Sequence, residues 1–158
     1  MFSEATEAKL TELAARYPVK RSSLIPMLIL AQRELGWVTP EAINHVAGIL
    51  GLSPSDVESV ASFYTMLNLK PVGRHMIVVC TNISCMLCGS DQIEHALVEK
   101  LGVTMGGTTA DGEFTLMEAE CLGSCTTAPV IQIDGEFHEN LAPGTVASLI
   151  DGIRNGKS

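Results

Sequence analysis

No cysteine occurs before Cys80 or after Cys125 in this 158-residue chain. All five thiols fall in two short segments: Cys80, Cys85 and Cys88 in the first, Cys121 and Cys125 in the second. Cysteines used only for packing would scatter, so the two segments read as halves of one metal site that the fold brings together. Basic residues are almost as scarce in the second half. Between His75 and Ile153 the only Lys or Arg is Lys100. With a net charge of −8 overall, the chain lacks the basic footprint that nucleic acid requires. The longest apolar run, Leu24 to Ala31, is too short to span a bilayer and is interrupted by Pro26. The first residues, Met1-Phe-Ser-Glu-Ala-Thr-Glu7, lack a basic segment followed by an apolar one, so no secretory signal is expected. These absences predict a soluble intracellular protein whose thiols stay reduced, which favours metal ligation over disulfides.

Catalytic signatures are missing too. No G-x-G-x-x-G follows a strand, and there is no G-x-x-x-x-G-K-[ST], H-E-x-x-H or G-x-S-x-G. No Cys-x-His pair occurs, which argues against a Rieske centre. His45, His75, His95 and His138 are dispersed, and each is read as a surface or structural residue.

What is present divides near Asn68-Leu-Lys-Pro-Val-Gly73, read as a linker. Before it, helical periodicity dominates. Residues 4–16 form a first predicted helix. A second runs from Ser23 to Leu35, with Ser22 or Ser23 as cap and Gly36 as stop. Thr39-Pro40-Glu41 opens a third, with Ile43, Val46, Ala47 and Leu50 on its apolar face and Gly51 at its end. Ser53-Pro-Ser-Asp56 caps a fourth, which is expected to carry Val57, Val60, Ala61, Tyr64 and Leu67. The result is a four-helix bundle. After the linker, Met76–Cys80 reads as a strand buried on both faces. A helix is expected over Gly89–Leu101, and strands at Glu113–Ala119, Val130–Ile133 and Glu136–His138, the last two joined by Asp134-Gly135. Pro143 starts a final helix with Val146, Leu149, Ile150 and Ile153 inward. The overall class is α+β, with residues 1–73 as a helical domain and 74–158 as a domain built on a central sheet. The halves differ in charge. Residues 1–73 hold six Lys/Arg against seven Asp/Glu, and residues 74–158 hold four against eleven.

Four ligands can be chosen in two ways. Cys85-x2-Cys88 with Cys121-x3-Cys125 suits zinc, and Cys80-x4-Cys85 with Cys121-x3-Cys125 suits a 2Fe–2S cluster. Spacing alone does not separate them, nor does it exclude a single rubredoxin-like iron. Small or apolar residues after each segment, Gly89 and Ala128-Pro129, predict a dry shell. Gly123 and Ser124 place backbone N–H groups within reach of sulfur. Both features favour iron.

Cys80-x4-Cys85-x-Leu87-x-Gly89, followed by Cys121-x-Gly123-x-Cys125-x-x-Ala128-Pro129, resembles the thioredoxin-like 2Fe–2S ferredoxin family. Within it, the branch serving NADH-quinone oxidoreductases of respiratory complex I is the nearer likeness. Gln32-Arg-Glu-Leu-Gly-Trp-Val-Thr-Pro-Glu-Ala-Ile43 and Val60-Ala-Ser-Phe-Tyr64 resemble its helical segment, so the likeness covers roughly residues 10–155. It implies a thioredoxin-like domain behind the helical one, with one 2Fe–2S cluster on Cys80, Cys85, Cys121 and Cys125. It also implies a partner, a flavoprotein subunit that binds NADH and FMN. This chain would then exchange single electrons with the flavin, without catalytic residues of its own, in the cytoplasmic peripheral arm of a membrane-bound complex. The chain departs from the family at Cys88, an extra thiol, and at Ala142, where a better helix cap is usual. Three rival readings stand beside this one. One is the equivalent subunit of an NAD-dependent hydrogenase or formate dehydrogenase. The others are a zinc-binding structural protein and a thiol oxidoreductase using Cys85 and Cys88.

Overall fold

The computed structural model describes residues 2–156, and the chain divides into two compact units between Pro71 and Val72. Each unit has its own apolar core.

The first unit holds helices α1 (Glu4–Arg16), α2 (Leu24–Leu35), α3 (Pro40–Leu50) and α4 (Pro54–Phe63). Their starts follow from side-chain chemistry. Ser3, Thr39 and Ser53 each accept a hydrogen bond from the N–H three residues on, giving donors in the first turn a partner. α2 is the exception. Ser23 sits in a short 3-10 turn, Lys20–Ser23, and its hydroxyl donates back to the Lys20 carbonyl instead of capping the helix. The core is aliphatic, with Leu10, Met27, Leu28, Ala31, Val46 and Val57 fully buried.

α4 is shorter than its periodicity suggests. It ends at Phe63, and Tyr64 is extended. Leu67 is buried all the same, from a loop rather than a helix. The cause lies in α2: Gln32 donates to the Met66 carbonyl at 2.9 Å and accepts from the Asn68 N–H at 2.6 Å. Val38 N–H adds a bond to the Asn68 carbonyl at 2.8 Å. These bonds hold the chain in a path that a continued helix could not follow, and they leave Phe63 78% exposed.

The second unit is a four-stranded sheet in the order β2-β1-β3-β4, formed by β1 (His75–Cys80), β2 (Phe114–Ala119), β3 (Ile131–Ile133) and β4 (Glu136–His138). β1 and β2 are parallel, so the chain must cross over between them. It does so through α5 (Ile83–Leu87) and α6 (Ser90–Leu101). β3 and β4 are antiparallel neighbours joined at Asp134-Gly135. Asp134 accepts from the Met76 N–H at 2.8 Å and pairs with His75 at 2.5 Å, tying the hairpin turn to the start of β1. The final helix, α7 (Pro143–Arg154), packs beside α6. Ala142 offers no capping side chain, but Thr145 accepts the Ala142 N–H at 3.2 Å and so completes half of a capping box.

α6 and α7 cover one face of the sheet. Ile77, Val79, Phe114, Leu116, Ile131 and Ile133 meet Ile93, Leu97, Val146 and Ile150 there. The other face is half open. Met117, Val78, Gln132 and Phe137 stand in one row across the four strands, and Met117 and Phe137 are exposed. β1 is therefore covered fully on one face only, not on both as its apolar run suggests. A run of valine and isoleucine satisfies a half-buried central strand as well as a fully buried one. The outer edge of β2 is not free. Gly106 N–H donates to Leu116, Leu116 N–H to Gly107, and Thr109 N–H to Phe114. This loop blunts the edge against pairing with another chain. Among the described residues no helix is long and apolar enough to cross a membrane.

Gly73 shows how closely the backbone is packed where the chain enters β1. A Cβ there would lie 2.6 Å from the Phe114 carbonyl carbon, and the Gly73 N–H donates to the Thr115 hydroxyl at 2.6 Å. The contact is with strand backbone, so the added carbon cannot be accommodated by a side-chain rotation. Gly73→Ala is expected to lower stability by about 1–3 kcal/mol, as overpacking does. Urea unfolding at an unchanged m-value checks it.

Candidate metal centre

β1 delivers Cys80 at its C-terminal end, buried. Three residues later α5 begins, and its third residue is Cys85, also buried. α5 lies outside the helix expected from the sequence, which begins at Gly89. Asn82, an extended residue at the cap position of α5, is the signal that marks its start. Cys121 follows β2 by two residues, and Cys125 opens a one-turn 3-10 helix, Cys125–Thr127. Both of these thiols are exposed. The site is thus dry on the Cys80–Cys85 side, where Val130, Leu122 and Ala128 pack, and open on the other. The fully dry shell expected from the flanking residues is realised only in half.

The two cysteine segments meet at this end of the sheet: Cys80 neighbours Cys85 and Cys121, and Cys85 is near enough to Cys125 to sense its charge. Cys88 enters none of these contacts. It caps the C-terminal end of α5 and is exposed. No pair of the five cysteines is disulfide-bonded.

Backbone N–H groups converge on the sulfurs. Gly123 N–H donates to Cys121 at 3.3 Å, and the N–H groups of Asn82 and Leu122 lie near Cys80 and that of Val130 near Cys85, where each favours the thiolate. Gly123 has φ +81°, a conformation a side chain would strain, and it lets the loop double back on its own ligand. Burial pushes the Cys80 thiol up, but the Asn82 and Leu122 N–H groups and the two neighbouring thiols bring it below the ordinary cysteine value. Burial and the contact with Cys80 push Cys85 up to about 11. Cys80 therefore gives up its proton more readily than Cys85, and a metal bound to both would have to displace the Cys85 proton against its burial.

This donor set fits a 2Fe–2S cluster. Four thiols with no carboxylate or imidazole among them are soft ligands. Hydrogen bonds to sulfur are the means by which a protein stabilises and tunes such a group. Among the described residues no three His, Cys, Asp or Glu side chains stand close enough together to hold a metal ion.

Sheet register settles the orientation of one nearby acid. Glu118 pairs with Val79 and so projects to the face opposite Cys80, although it is only three residues from Cys121. Nothing in the sequence points to Glu139. This residue lies between β4 and α7 and accepts hydrogen bonds from Ser124 and Thr127, which flank Cys125 and its neighbour.

A thiol cluster at one end of a mixed sheet, backed by two helices on one face, defines a thioredoxin-like ferredoxin architecture. The chain belongs to the thioredoxin-like [2Fe-2S] ferredoxin family, whose sequence model matches residues 10–154. It is 42% identical to NADH dehydrogenase [ubiquinone] flavoprotein 2, mitochondrial, of Dictyostelium discoideum; the match covers 99% of this chain and 64% of that protein. It is 45% identical to an NADH-quinone oxidoreductase subunit of Rickettsia bellii, over 91% of this chain and 88% of that one. Among solved structures, NAD+-reducing [NiFe]-hydrogenase in the air-oxidized state shares the fold. The TM-score is 0.77 at 21% identity, covering 85% of this chain and 23% of that one.

Burial orders the thiols by reactivity. In metal-free protein under native conditions, brief alkylation is expected to label Cys88, Cys121 and Cys125 well before Cys80 and Cys85. Peptide mass mapping reads the order, and equal labelling of all five would contradict the described packing.

Proposed function

We propose that this chain is the 2Fe–2S electron-transfer subunit of an NADH-quinone oxidoreductase, with its cluster held by Cys80, Cys85, Cys121 and Cys125. In this reading it passes single electrons to or from FMN on a partner flavoprotein subunit, which also binds NADH. The observation that supports the ligand assignment is the proximity of Cys80 to Cys85 and Cys121 and of Cys85 to Cys125, a set of neighbours that does not include Cys88. Identity of 42–45% to complex I proteins supports the choice of complex over other users of the same fold.

When bound, the cluster supplies a site for one reversible electron. The chain's own residues do the rest. The N–H groups of Asn82, Leu122, Val130 and Gly123 favour thiolate over thiol and stabilise negative charge on sulfur. Val130, Leu122 and Ala128 exclude water from the Cys80–Cys85 side. The exposed Cys121–Cys125 side is the one an electron partner can approach, and it stands in the half of the chain that carries four Lys/Arg against eleven Asp/Glu. Alone, the chain oxidises no NADH. It belongs to the peripheral, cytoplasmic part of the assembly.

Cys80→Ser is expected to strip or gravely perturb the cluster, while Cys88→Ser leaves the visible and EPR spectra intact. The reverse order would establish the zinc-type set, Cys85, Cys88, Cys121 and Cys125, and end this assignment. Function is tested by isolating the native complex. Co-purification with an FMN-containing NADH-oxidising subunit and quinone-reducing partners supports the proposal. Recovery with a hydrogenase or formate dehydrogenase would assign the chain to those complexes instead.

A further inference from the structure

Glu139 is 14 residues beyond Cys125 in sequence, yet it is built into the loop that carries Cys121 and Cys125. Its Oε1 accepts from the Ser124 hydroxyl and from the Thr127 hydroxyl, the latter at 2.7 Å. The two hydroxyl oxygens lie 2.8 Å apart, so with both protons turned to Oε1 the three oxygens close a triangle. Ser124 immediately precedes Cys125, and Thr127 ends the one-turn helix that Cys125 opens. The chain on either side reinforces the attachment: Asn140 N–H donates to the Thr127 carbonyl at 2.8 Å and Leu141 N–H to the Pro129 carbonyl at 3.2 Å. The hydroxyls of Ser124 and Thr127 hold the Glu139 carboxyl below the usual carboxylate range, so it is charged at neutral pH. Among the described residues no Lys, Arg or His pairs with it.

These contacts have two separable consequences. A carboxylate that accepts two hydroxyl hydrogen bonds fixes the backbone between them more firmly than a neutral acceptor would. An unpaired negative charge beside a site that becomes more negative on reduction opposes that reduction. We infer that Glu139 is a positioning residue for the Cys121–Cys125 half of the site: it fixes this ligand loop through Ser124 and Thr127, and its uncompensated charge holds the reduction potential down. The second half of the inference rests on the cluster proposed above. The first half concerns the loop itself.

Glu139→Gln and Glu139→Ala in the full-length, cluster-loaded protein separate the two roles, with Glu136→Gln as a control for loss of an acid on the same hairpin. The readouts are iron content over time, EPR line shape, and midpoint potential from redox titration. Gln keeps an acceptor oxygen where Oε1 stands. Glu139→Gln should therefore retain iron and the native line shape while raising the midpoint potential by more than Glu136→Gln does. Glu139→Ala should raise the potential too, but also alter the line shape and lose iron faster. Hydrogen exchange at residues 124–127 supplies a readout that does not depend on iron. It should quicken strongly in Glu139→Ala and much less in Glu139→Gln, which keeps an acceptor but not the charge. A native potential in Glu139→Gln overturns the electrostatic role. Native exchange, line shape and iron retention in Glu139→Ala overturn the positioning role. If the native protein shows no 2Fe–2S spectrum, the cluster reading and the electrostatic role fall together, and hydrogen exchange still decides the positioning role.

Discussion

Backbone N–H groups set near sulfur are the constraint around which the loops of this domain are arranged. Gathered thiolates repel one another, and the domain around them adds further negative charge. Lys100 and Arg154 do not relieve it, because Lys100 is paired with Asp151 and Arg154 with Asp111 and Glu113. The compensation is dipolar. Gly123 donates its N–H to Cys121, the N–H groups of Asn82, Leu122 and Val130 lie near Cys80 and Cys85, and such fixed dipoles need no counter-ion. Each donor is spared from secondary structure because it lies just beyond a strand or before one. The loops at this end of the sheet are therefore as constrained as the strands.

The sheet exists to hold those loops together. Parallel pairing of β1 with β2 sets the ends that bear Cys80 and Cys121 side by side, because both strands run toward the same edge. Antiparallel β3 then starts at that edge, and Val130, the residue before it, has its N–H near Cys85. The helices α6 and α7 bury one face and fix the register. With one face buried, a slip of a single residue would move Cys80 to the other side of the sheet. Core packing and ligand placement are thus the same constraint.

The departures from the expected structure share a cause. Periodicity extends α4 through Tyr64 and Leu67, but Gln32 claims the backbone of Met66 and Asn68. Ser23 looks like a cap, but its hydroxyl finds the Lys20 carbonyl first. Ala142 looks like a missing cap, and Thr145 supplies the other half of the box. In each case a side-chain-to-backbone bond competes with the local propensity that the sequence expresses.

Local physics makes much of this protein legible in one dimension. Helix caps at Thr39 and Ser53, the turn at Asp134-Gly135 and the confinement of all thiols to two segments are short-range patterns, and short-range patterns can be read along a chain. Spacing also points to a metal site, but it cannot choose among five cysteines, because both sets of four are equally well spaced. The fold sets Cys80 beside Cys85 and Cys121, and Cys85 near Cys125, and this proximity is what supports the proposed set. Sheet register alone turns Glu118 away from Cys80. Chain folding alone brings Glu139 to Ser124 and Thr127, across a gap in which no sequence signal links them. Those choices depend on contacts between segments far apart in the chain, whose geometry is set by the packed sheet and not by the residues on either side.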